Sequence, residues 1–492
     1  MKNNDINLNP RPSALLESLR SIGYTLETAL ADIIDNSITA NSNNISVRFA
    51  WNNGDPWIAI IDDGDGMSND ELIDAMRFGS RNPVEQRAKN DLGRFGLGMK
   101  TASISQCRHL VVASKKNNKI AACEWDLDRI AKSDSVEWLA GHLDSASIFQ
   151  DERLHELVSD FLGSSKSGTI LLWRRLDIIC AAADENRFSD AMNLARVHLE
   201  MIFHRFISPD LGCSSIKIDF NNNLLEAFNP FGPAVPARQE LTSETIHING
   251  SEVFVQPYIL PHRSKVPAAL YEQYAGEQGY LHNQGFYIYR NRRLIRSATW
   301  FRLIKKEELN KLIRVKVDIT NDLDKIWKID IKKSEASPPE LVRKELKKII
   351  NKISGAGKLV FTRRATRLKN RTITPVWSRE VADGKIRYGI NQEHPLIKAL
   401  LHKVTPDQAV EMKTCLRLIT ETFPHELFFA DAASDTTEFV PPEHSEQEVR
   451  QAAVMLIDAL RACGFAGDAL RKQLLNTEAY PFPPELINEL LP

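Results

Sequence analysis

The sequence predicts an α+β protein whose C-terminal part is helical. Residues 26–37 carry apolar residues at helical spacing. Short apolar strands are joined by hairpin signals, such as the run Asn52-Asn53-Gly54-Asp55 between residues 45–50 and 57–61. From Phe423 to the end of the chain the pattern is again helical. Helices and antiparallel strands are therefore both expected.

Length and composition limit the class of protein. The chain has 492 residues, so two or three domains are expected. A net charge of −1 excludes an overall polycation but not a local basic patch. The 6 cysteines form no CxxC pair, and no stretch resembles a membrane span or a signal peptide. We expect a cytoplasmic protein that has no membrane partner.

The first motif lies in the helix predicted from Leu26. Asp32 and Asn36 are four residues apart, so they share one face of this helix, away from its apolar stripe. An isolated pair of this kind usually consists of two polar residues on a solvated helix. Only further motifs at a suitable spacing give the pair a functional meaning.

The second motif follows the strand predicted over residues 57–61. The run Asp62-Asp63-Gly64-Asp65-Gly66 lacks the ligand spacing of an EF-hand, which excludes a calcium loop of that type. A bare turn is the ordinary interpretation of such a run. Gly64 and Gly66, however, also allow a ligand to approach the backbone closely.

The third motif follows a polar segment, residues 68–92, whose composition is typical of a mobile lid. Gly93, Gly96 and Gly98 then precede a helix predicted over residues 99–106. Glycines at a helix start expose backbone N–H groups to an anion, and the helix dipole adds to the attraction. A Rossmann motif is excluded, because these glycines do not follow a strand.

The remaining chain supplies the domain limits. A long helix predicted over residues 184–206 closes the first domain, and residues 208–212 indicate a boundary. The next segment is rich in strand patterns, among them residues 285–295, which contain a basic turn. Pro338-Pro339 starts a further helix that is predicted to reach residue 353.

The three ordered motifs resemble the nucleotide site of the GHKL group, which includes gyrase-type topoisomerases, a heat-shock chaperone, histidine kinases, MutL and MORC proteins. The strings ALADIIDNSITA, GRFGLGMKTAS, GTILLW and GFYIYRNRRLI resemble MORC and its prokaryotic relatives. The resemblance implies a Bergerat-type ATPase domain, a mixed sheet covered by helices, over residues 1–210. It further implies a smaller α/β domain like the transducer of MutL and gyrase over residues 211–355. A basic linker and a mostly helical region then occupy residues 356–492.

The resemblance implies ATP and Mg²⁺ as cofactors and a role for each motif residue. Asn36 resembles the asparagine whose amide oxygen binds Mg²⁺. Asp62 resembles the aspartate that accepts a hydrogen bond from the adenine amino group, and Thr169 resembles the threonine that supports this contact. The other residues implied to bind the nucleotide are Gly64, Gly66, Met67, Gly93, Gly96, Gly98, Lys100 and Thr101.

Two residues are implied to act at the γ-phosphate. Asp32 stands where the family usually has a glutamate as general base, and it is shorter by one methylene. Its carboxylate must therefore come closer to the attacking water or act through a second one, so slow hydrolysis is expected. Asp35 is a poorer candidate, because it lies about 100° round the helix from Asn36. Lys333, or its neighbour Lys332, resembles the transducer lysine that contacts the γ-phosphate, although a solvated loop explains these lysines as well.

Two classes of function follow from the resemblance. The first is an ATPase that forms a homodimer when ATP binds, acting with partner proteins of a defence operon in DNA-directed defence or DNA processing. The second is a nucleotide-gated scaffold or DNA-binding module with negligible turnover, which Asp32 would permit, or a chaperone-like ATPase. A measurement of steady-state phosphate release distinguishes an ATPase from a module with negligible turnover.

Residues 343–371 form a strongly basic run that contains eleven Lys or Arg and one Glu. A solvated helix face explains such a run. A surface that contacts the phosphates of duplex DNA explains it equally well. In the second case, binding needs no base contacts and depends steeply on salt.

Overall fold

The α+β class and the helical C-terminal region are confirmed. A computed structural model describes residues 10–21, 23–79, 98–133, 137–179, 184–209, 213–235, 237–248, 250–324, 326–327, 337–353, 374–382, 385–424, 445–477 and 482–491. The chain divides into two compact units, Met1–Lys358 and Leu359–Pro492. The first unit carries two sheets, and the second is smaller and mostly helical.

The first sheet is mixed. Its described strands are β1 (Asn44–Ala50), β2 (Trp57–Asp62), β3 (His109–Lys116), β4 (Lys119–Asp126), β5 (Gly141–Leu143), β6 (Gly168–Arg174), β7 (Lys217–Phe220) and β8 (Asn223–Leu224). Their order across the sheet is β5-β4-β3-β6-β2-β1-β7-β8. Neighbours run antiparallel except β1 and β7, which are parallel. The motif strand β2 therefore lies near the middle of the sheet.

Helices cover both faces of this sheet. They are α1 (Pro12–Arg20), α2 (Leu26–Thr39), α3 (Asn69–Met76), α4 (Gly98–Gln106), α5 (Leu127–Lys132), α6 (Ser145–Gln150), α7 (Glu152–Leu157), α8 (Glu185–Ile202) and α9 (His204–Ile207). Ile58 and Ile60 of β2 join a core with α1, α2, α4 and α8, whereas Ala59 and Ile61 join a second core with α6 and α7. Because successive strand residues point to opposite faces, a strand covered on both sides is apolar throughout.

The elements that carry the motifs form where the sequence predicts them. Thr25 and Thr28 make a capping box at the start of α2, which satisfies backbone N–H groups there. At Asn52, Asn53 and Gly54 the backbone turns with φ of 48°, 54° and 95°, which asparagine and glycine tolerate best. The resulting β1–β2 hairpin delivers Asp62 to the end of β2.

The β7–β8 hairpin lies within residues 211–355, which the sequence analysis assigns to the transducer-like domain, but it extends the first sheet. Strand β7 pairs in parallel with β1, from Asn44 opposite Lys217 to Val47 opposite Phe220. The first sheet thus continues beyond residue 210. A hairpin pattern in the sequence shows that two strands pair with each other, but it does not show which sheet they join.

The second sheet occupies the rest of the first unit. Its strands are β9 (Gln239–Glu240), β10 (Glu244–Ile248), β11 (Ser251–Ile259), β12 (Gly285–Arg290), β13 (Arg293–Thr299) and β14 (Ile313–Ile319). The order is β10-β11-β14-β12-β13, with β9 beside β11. The helices nearby are α10 (Ala268–Ala275), α11 (Gly279–His282) and α12 (residues 340–353). The basic turn of the sequence analysis joins β12 to β13 through Asn291 and Arg292, both at positive φ.

Helix α12 carries the described part of the basic run. Its buried stripe consists of Val342, Leu346, Ile349, Ile350 and Ile353. The ion pairs on its surface include Arg343–Glu340, Lys348–Glu345 and Lys352–Glu244. Residues 354–371, including Arg363, Arg364 and Arg367, lie outside the described residues.

The second unit contains a hairpin and several helices. These elements are β15 (Trp377–Ala382), β16 (Lys385–Ile390), α13 (Pro395–Lys403), α14 (Pro406–Glu421), α15 (Glu446–Ala462), α16 (Gly467–Leu475) and α17 (Pro484–Leu490). Its core includes Leu456 and Leu460 of α15, Leu470 and Leu474 of α16, and Ile487 of α17. Within the described ranges of the whole chain, no helix is both long enough and apolar enough to cross a membrane.

Candidate functional site

Helix α2 supplies two predicted site residues that differ in exposure. Asp32 is buried, and its Oδ2 accepts a hydrogen bond from the Tyr24 hydroxyl at 2.8 Å. Asn36, one turn later on the same side, is exposed. Asp35 is buried on another side, where Nε of Arg293 lies 3.2 Å from both of its carboxylate oxygens. The helix thus separates the Asp32–Asn36 face from a side that packs on the second sheet.

Asp62 lies at the end of β2, directly beneath α2. Its Oδ2 accepts a hydrogen bond from the Ser37 hydroxyl at 3.0 Å, and its Oδ1 accepts one from the backbone N–H of Gly64 at 3.0 Å. Burial raises the pKa of Asp62 to about 6, while these hydrogen bonds and one from the backbone of Thr169 act in the opposite direction. The carboxylate is therefore mostly ionised at neutral pH and acts as a hydrogen-bond acceptor.

Thr169 lies opposite Asp62 in the β2–β6 pairing, and Ser114 of β3 lies opposite Thr169 on its other side. The Ser114 hydroxyl donates to the carbonyl of Gly168 at 3.0 Å, lies 2.9 Å from the Thr169 hydroxyl, and accepts from the backbone N–H of Met67 at 2.8 Å. A serine hydroxyl has one proton. Since Ser114 gives that proton to Gly168, Thr169 donates to Ser114 and keeps lone pairs to offer to a ligand or a water.

The glycines of the second motif are required by close backbone contacts. Gly66 has φ of 63°, and a Cβ at this position would lie 1.9 Å from the carbonyl oxygen of Lys115. A Cβ at Gly64 would lie 2.6 Å from the carbonyl oxygen of Ala40. The loop after β2 is therefore pressed against α2 on one side and β3 on the other.

The other two carboxylates of the motif hold the loop itself. Asp63 Oδ1 accepts from the backbone N–H groups of Asn43 and Asn44 at 2.8 and 2.9 Å. Asp65 Oδ2 accepts from the side-chain amide of Asn41 at 2.8 Å. Of the three carboxylates in the run, Asp62 is the one that is buried beside Ser37 and Thr169.

The start of α4 meets the Asp32 face of α2. A Cβ at Gly98 would lie 3.7 Å from Asp32 Oδ2, in ordinary van der Waals contact. Thr101, in the first turn of α4, is buried and its hydroxyl donates to the carbonyl of Gly98 at 3.5 Å. The N-terminus of α4, where a helix attracts anions, thus lies beside the carboxylate that the sequence analysis assigns as the base.

Lys100 points toward the end of α3. Its ammonium group donates to the carbonyl of Ala75 at 2.7 Å and lies 5.7 Å from the centre of the Phe78 ring. Burial lowers the pKa of Lys100 to about 8, and the nearby charge of Asp74 acts in the opposite direction. In this arrangement the lysine binds the C-terminal end of α3, where carbonyl groups favour a cation.

Gly93 and Gly96, in the third motif, lie outside the described residues, as do Lys332 and Lys333. Their roles in phosphate binding and sensing stay predictions.

Sequence reasoning did not identify four residues that the structure brings to this region: Tyr24, Ser37, Ser114 and Arg293. Ser37 adjoins Asn36 and occupies the buried stripe of α2, which is a usable signal for a buried hydroxyl. The other three depend on strand register or on contacts between distant segments, which local sequence patterns do not encode.

Comparison with known proteins identifies a family for the part of the chain that carries these residues. Residues 24–169 match the family described as "Histidine kinase-, DNA gyrase B-, and HSP90-like ATPase". They form a GHKL-type ATPase domain. The matched residues run from Tyr24 to Thr169, so the GHKL domain includes α2, β2, α4 and the start of β6.

A curated relative supports the MORC-like character of the GHKL domain. The protein named "ATPase morc-1" from Caenorhabditis elegans is 28% identical to the chain over 95 residues. These residues are 19% of this chain and 11% of that relative. The chain thus spans about a tenth of the length of the relative it matches.

The side chain of Asn36 suits a magnesium ion that is held mainly by phosphates and water. The exposed amide oxygen of Asn36 is a hard ligand of the kind that Mg²⁺ prefers. In the described part of the chain, no three His, Cys, Asp or Glu side chains cluster as a metal site. A single protein ligand fits this donor set, because Mg²⁺ commonly binds through one or two protein groups and substrate phosphates.

Proposed function

We propose that the GHKL domain binds ATP with Mg²⁺ and hydrolyses it slowly, and that the nucleotide switches the protein between two states. The observation that carries this proposal is the hydrogen bond between Ser37 and Asp62. It joins the helix that presents Asp32 and Asn36 to the strand end that faces Thr169. Segments distant in sequence thereby form one polar site beside the N-terminus of α4.

The acceptor character of Asp62 supports adenine as the base. An ionised carboxylate accepts a hydrogen bond from the amino group of adenine, whereas guanine has a carbonyl oxygen at the same position and two acceptors repel. The lone pairs of Thr169 complement this contact by accepting from a bridging water. Adenine is thus favoured over guanine by donor and acceptor matching.

Asp32 is the proposed general base for hydrolysis. It takes a proton from a water whose oxygen bonds to the γ-phosphorus while the bond to the leaving ADP breaks. The proximity of Asp32 to the start of α4 supports this role, because that helix end favours phosphate. Bound Mg²⁺ would neutralise charge on the phosphates, and Asn36 is the residue proposed to hold it.

A second candidate function is a nucleotide-gated binding module with negligible turnover. The Tyr24 hydroxyl favours it, because it donates to the same short carboxylate that must accept the proton of water. Steady-state release of phosphate from Mg²⁺-ATP by the full chain separates the two candidates. Release above the background without protein supports the ATPase, and release that does not exceed this background supports the binding module.

We further propose that ATP binding produces a homodimer and that the protein acts in DNA-directed defence or DNA processing. The partial similarity to a protein named ATPase morc-1 and the basic run support this role. Duplex DNA would bind through residues 343–371. Reversing Arg363, Arg364 and Arg367 to glutamate should then flatten the salt dependence of DNA binding, which fluorescence anisotropy measures.

A further inference from the structure

A buried ion pair connects the nucleotide helix to the second sheet. Asp35 of α2 is 0% exposed and Arg293, the first residue of β13, is 4% exposed. Arg293 Nε lies 3.2 Å from each carboxylate oxygen of Asp35, although 258 residues separate the two in sequence. The helix that presents Asn36 therefore has a direct polar contact with the transducer-like part of the chain.

The guanidinium group of Arg293 is itself fixed by its surroundings. Its Nη1 donates to the carbonyl of Leu294 at 2.6 Å, and its central carbon, Cζ, lies 5.7 Å from the centre of the Phe203 ring. His198 of α8 lies nearby, and burial together with the charge of Arg293 lowers its pKa to about 4. His198 is thus neutral at pH 7, and Arg293 balances the charge of Asp35.

Asp35 is well placed to set the orientation of its helix. Successive residues of an α-helix are about 100° apart, so Asp35 and its neighbour Asn36 point to different sides of α2. A contact that fixes Asp35 resists rotation of the helix about its axis. The direction of the Asn36 amide then follows from the position of Arg293.

We propose that Arg293 is a positioning residue of the nucleotide site, which orients Asn36 by holding Asp35. The proposal rests on the proposed function, because it assumes that Asn36 binds the magnesium ion of a nucleotide. Arg293 contacts neither the phosphates nor the metal, and it acts through α2. Partners that orient a metal ligand typically change metal affinity by about 10–100-fold when they are replaced.

A second buried pair provides a matched control. Arg290, the last residue of β12, donates from Nε and Nη2 to the two carboxylate oxygens of Asp324, both at 2.7 Å. These residues are 3% and 8% exposed. The pair lies on the other side of the β12–β13 turn, and the two bonds between Arg290 and Asp324 do not involve α2. Replacing Arg290 should therefore lower stability without changing the orientation of the Asn36 side chain.

The test compares Arg293→Lys with Arg290→Lys in the full chain. Lysine keeps the balancing charge, which favours folding, but it lacks the planar fork that holds a carboxylate and a carbonyl together. Calorimetry measures the affinity for ADP twice, once with Mg²⁺ present and once with a chelator. The first affinity divided by the second is the magnesium ratio, which reports how much the metal contributes to binding. ADP is used because it lacks the γ-phosphate that Lys333 is predicted to sense.

We expect Arg293→Lys to lower this magnesium ratio at least about tenfold, whereas Arg290→Lys keeps the wild-type ratio. The proposal is overturned if Arg293→Lys keeps the wild-type magnesium ratio while its melting temperature falls as it does in Arg290→Lys. Arg293 would then have only a structural role. Should Arg293→Lys not fold, Asp35→Asn tests the same contact from α2, and an unchanged ratio there is equally decisive. Failure of the wild-type chain to bind ADP under either condition would instead contradict the proposed function.

Discussion

Asp62 illustrates at the residue scale how burial and hydrogen bonding set the chemistry of one carboxylate. Burial raises its pKa to about 6 against hydrogen bonds that favour the charge. Because the folded pKa exceeds the ordinary aspartate value of 3.8, the folded protein binds the proton more tightly than the unfolded chain. This residue therefore favours folding more as the pH falls from about 6 to 4, while its ability to accept a hydrogen bond is lost.

The first prediction concerns the pH dependence of adenine binding. Adenosine should bind about tenfold more weakly at pH 5 than at pH 8, since about nine tenths of Asp62 is protonated one unit below a pKa of about 6. Adenosine is the suitable probe because ATP phosphates protonate in the same range. A competition titration against a fluorescent nucleotide measures the affinity. An affinity that stays constant between pH 5 and 8 would show that Asp62 does not accept from the base.

The second prediction concerns Asp32. Asp32→Asn should keep the affinity for ATP and lower phosphate release at least about 100-fold, because an amide cannot take a proton from water. Asp32→Glu serves as the control and should remain active, since it restores the base that is usual in the family. Phosphate release by Asp32→Asn at the wild-type rate would exclude Asp32 as the base.

At the scale of elements, Gly66 in the loop after β2 shows two separate reasons why a position requires glycine. Gly66 combines positive φ with a contact to the carbonyl of Lys115 that no side chain fits. Gly54, in the β1–β2 turn, also has positive φ, but nothing lies within 4 Å of its Cβ position. Comparing the two glycines therefore separates the energetic cost of a positive φ from that of a steric clash.

The third prediction uses this pair. Gly54→Ala should cost about 1–2 kcal/mol of stability from backbone strain alone. Gly66→Ala should cost more than Gly54→Ala and should also weaken ATP binding, because the loop that carries Met67 must shift. Urea denaturation and calorimetry measure both effects. Equal losses of stability in the two variants, with unchanged ATP affinity in Gly66→Ala, would contradict the close packing.

Sequence patterns predict elements better than contacts in this protein. The stripe of α2, the β1–β2 hairpin and the helix after Gly98 follow from local spacing, and each appears where expected. The Ser114–Thr169 contact depends on strand register, and the Asp35–Arg293 pair joins residues 258 apart. Periodicity shows which face of an element is buried, but not which partner covers that face. The position of Lys100 at the end of α3 is a further example.

At the scale of the whole molecule, the nucleotide is proposed to control association of two chains. The fourth prediction is that Lys333→Ala weakens ATP-driven dimerisation more than it weakens ADP binding, because ADP has no γ-phosphate to contact. Lys332→Ala distinguishes the two candidate lysines, since the same selective loss there, and none in Lys333→Ala, would assign the contact to Lys332. Light scattering with a non-hydrolysable ATP analogue measures dimer formation. Equal losses of ATP-driven dimerisation and of ADP binding would exclude a γ-phosphate sensor at Lys333.

The central claim is that α2 presents a magnesium-dependent nucleotide site, and calorimetry of ATP binding to wild type and Asn36→Ala tests it most directly. Wild type should bind ATP in the presence of Mg²⁺, and Asn36→Ala should show no measurable binding while it retains the wild-type melting temperature. The side chain of Asn36 is exposed, so its removal should not disturb the core. Wild-type affinity for Mg²⁺-ATP in a folded Asn36→Ala variant would contradict the account.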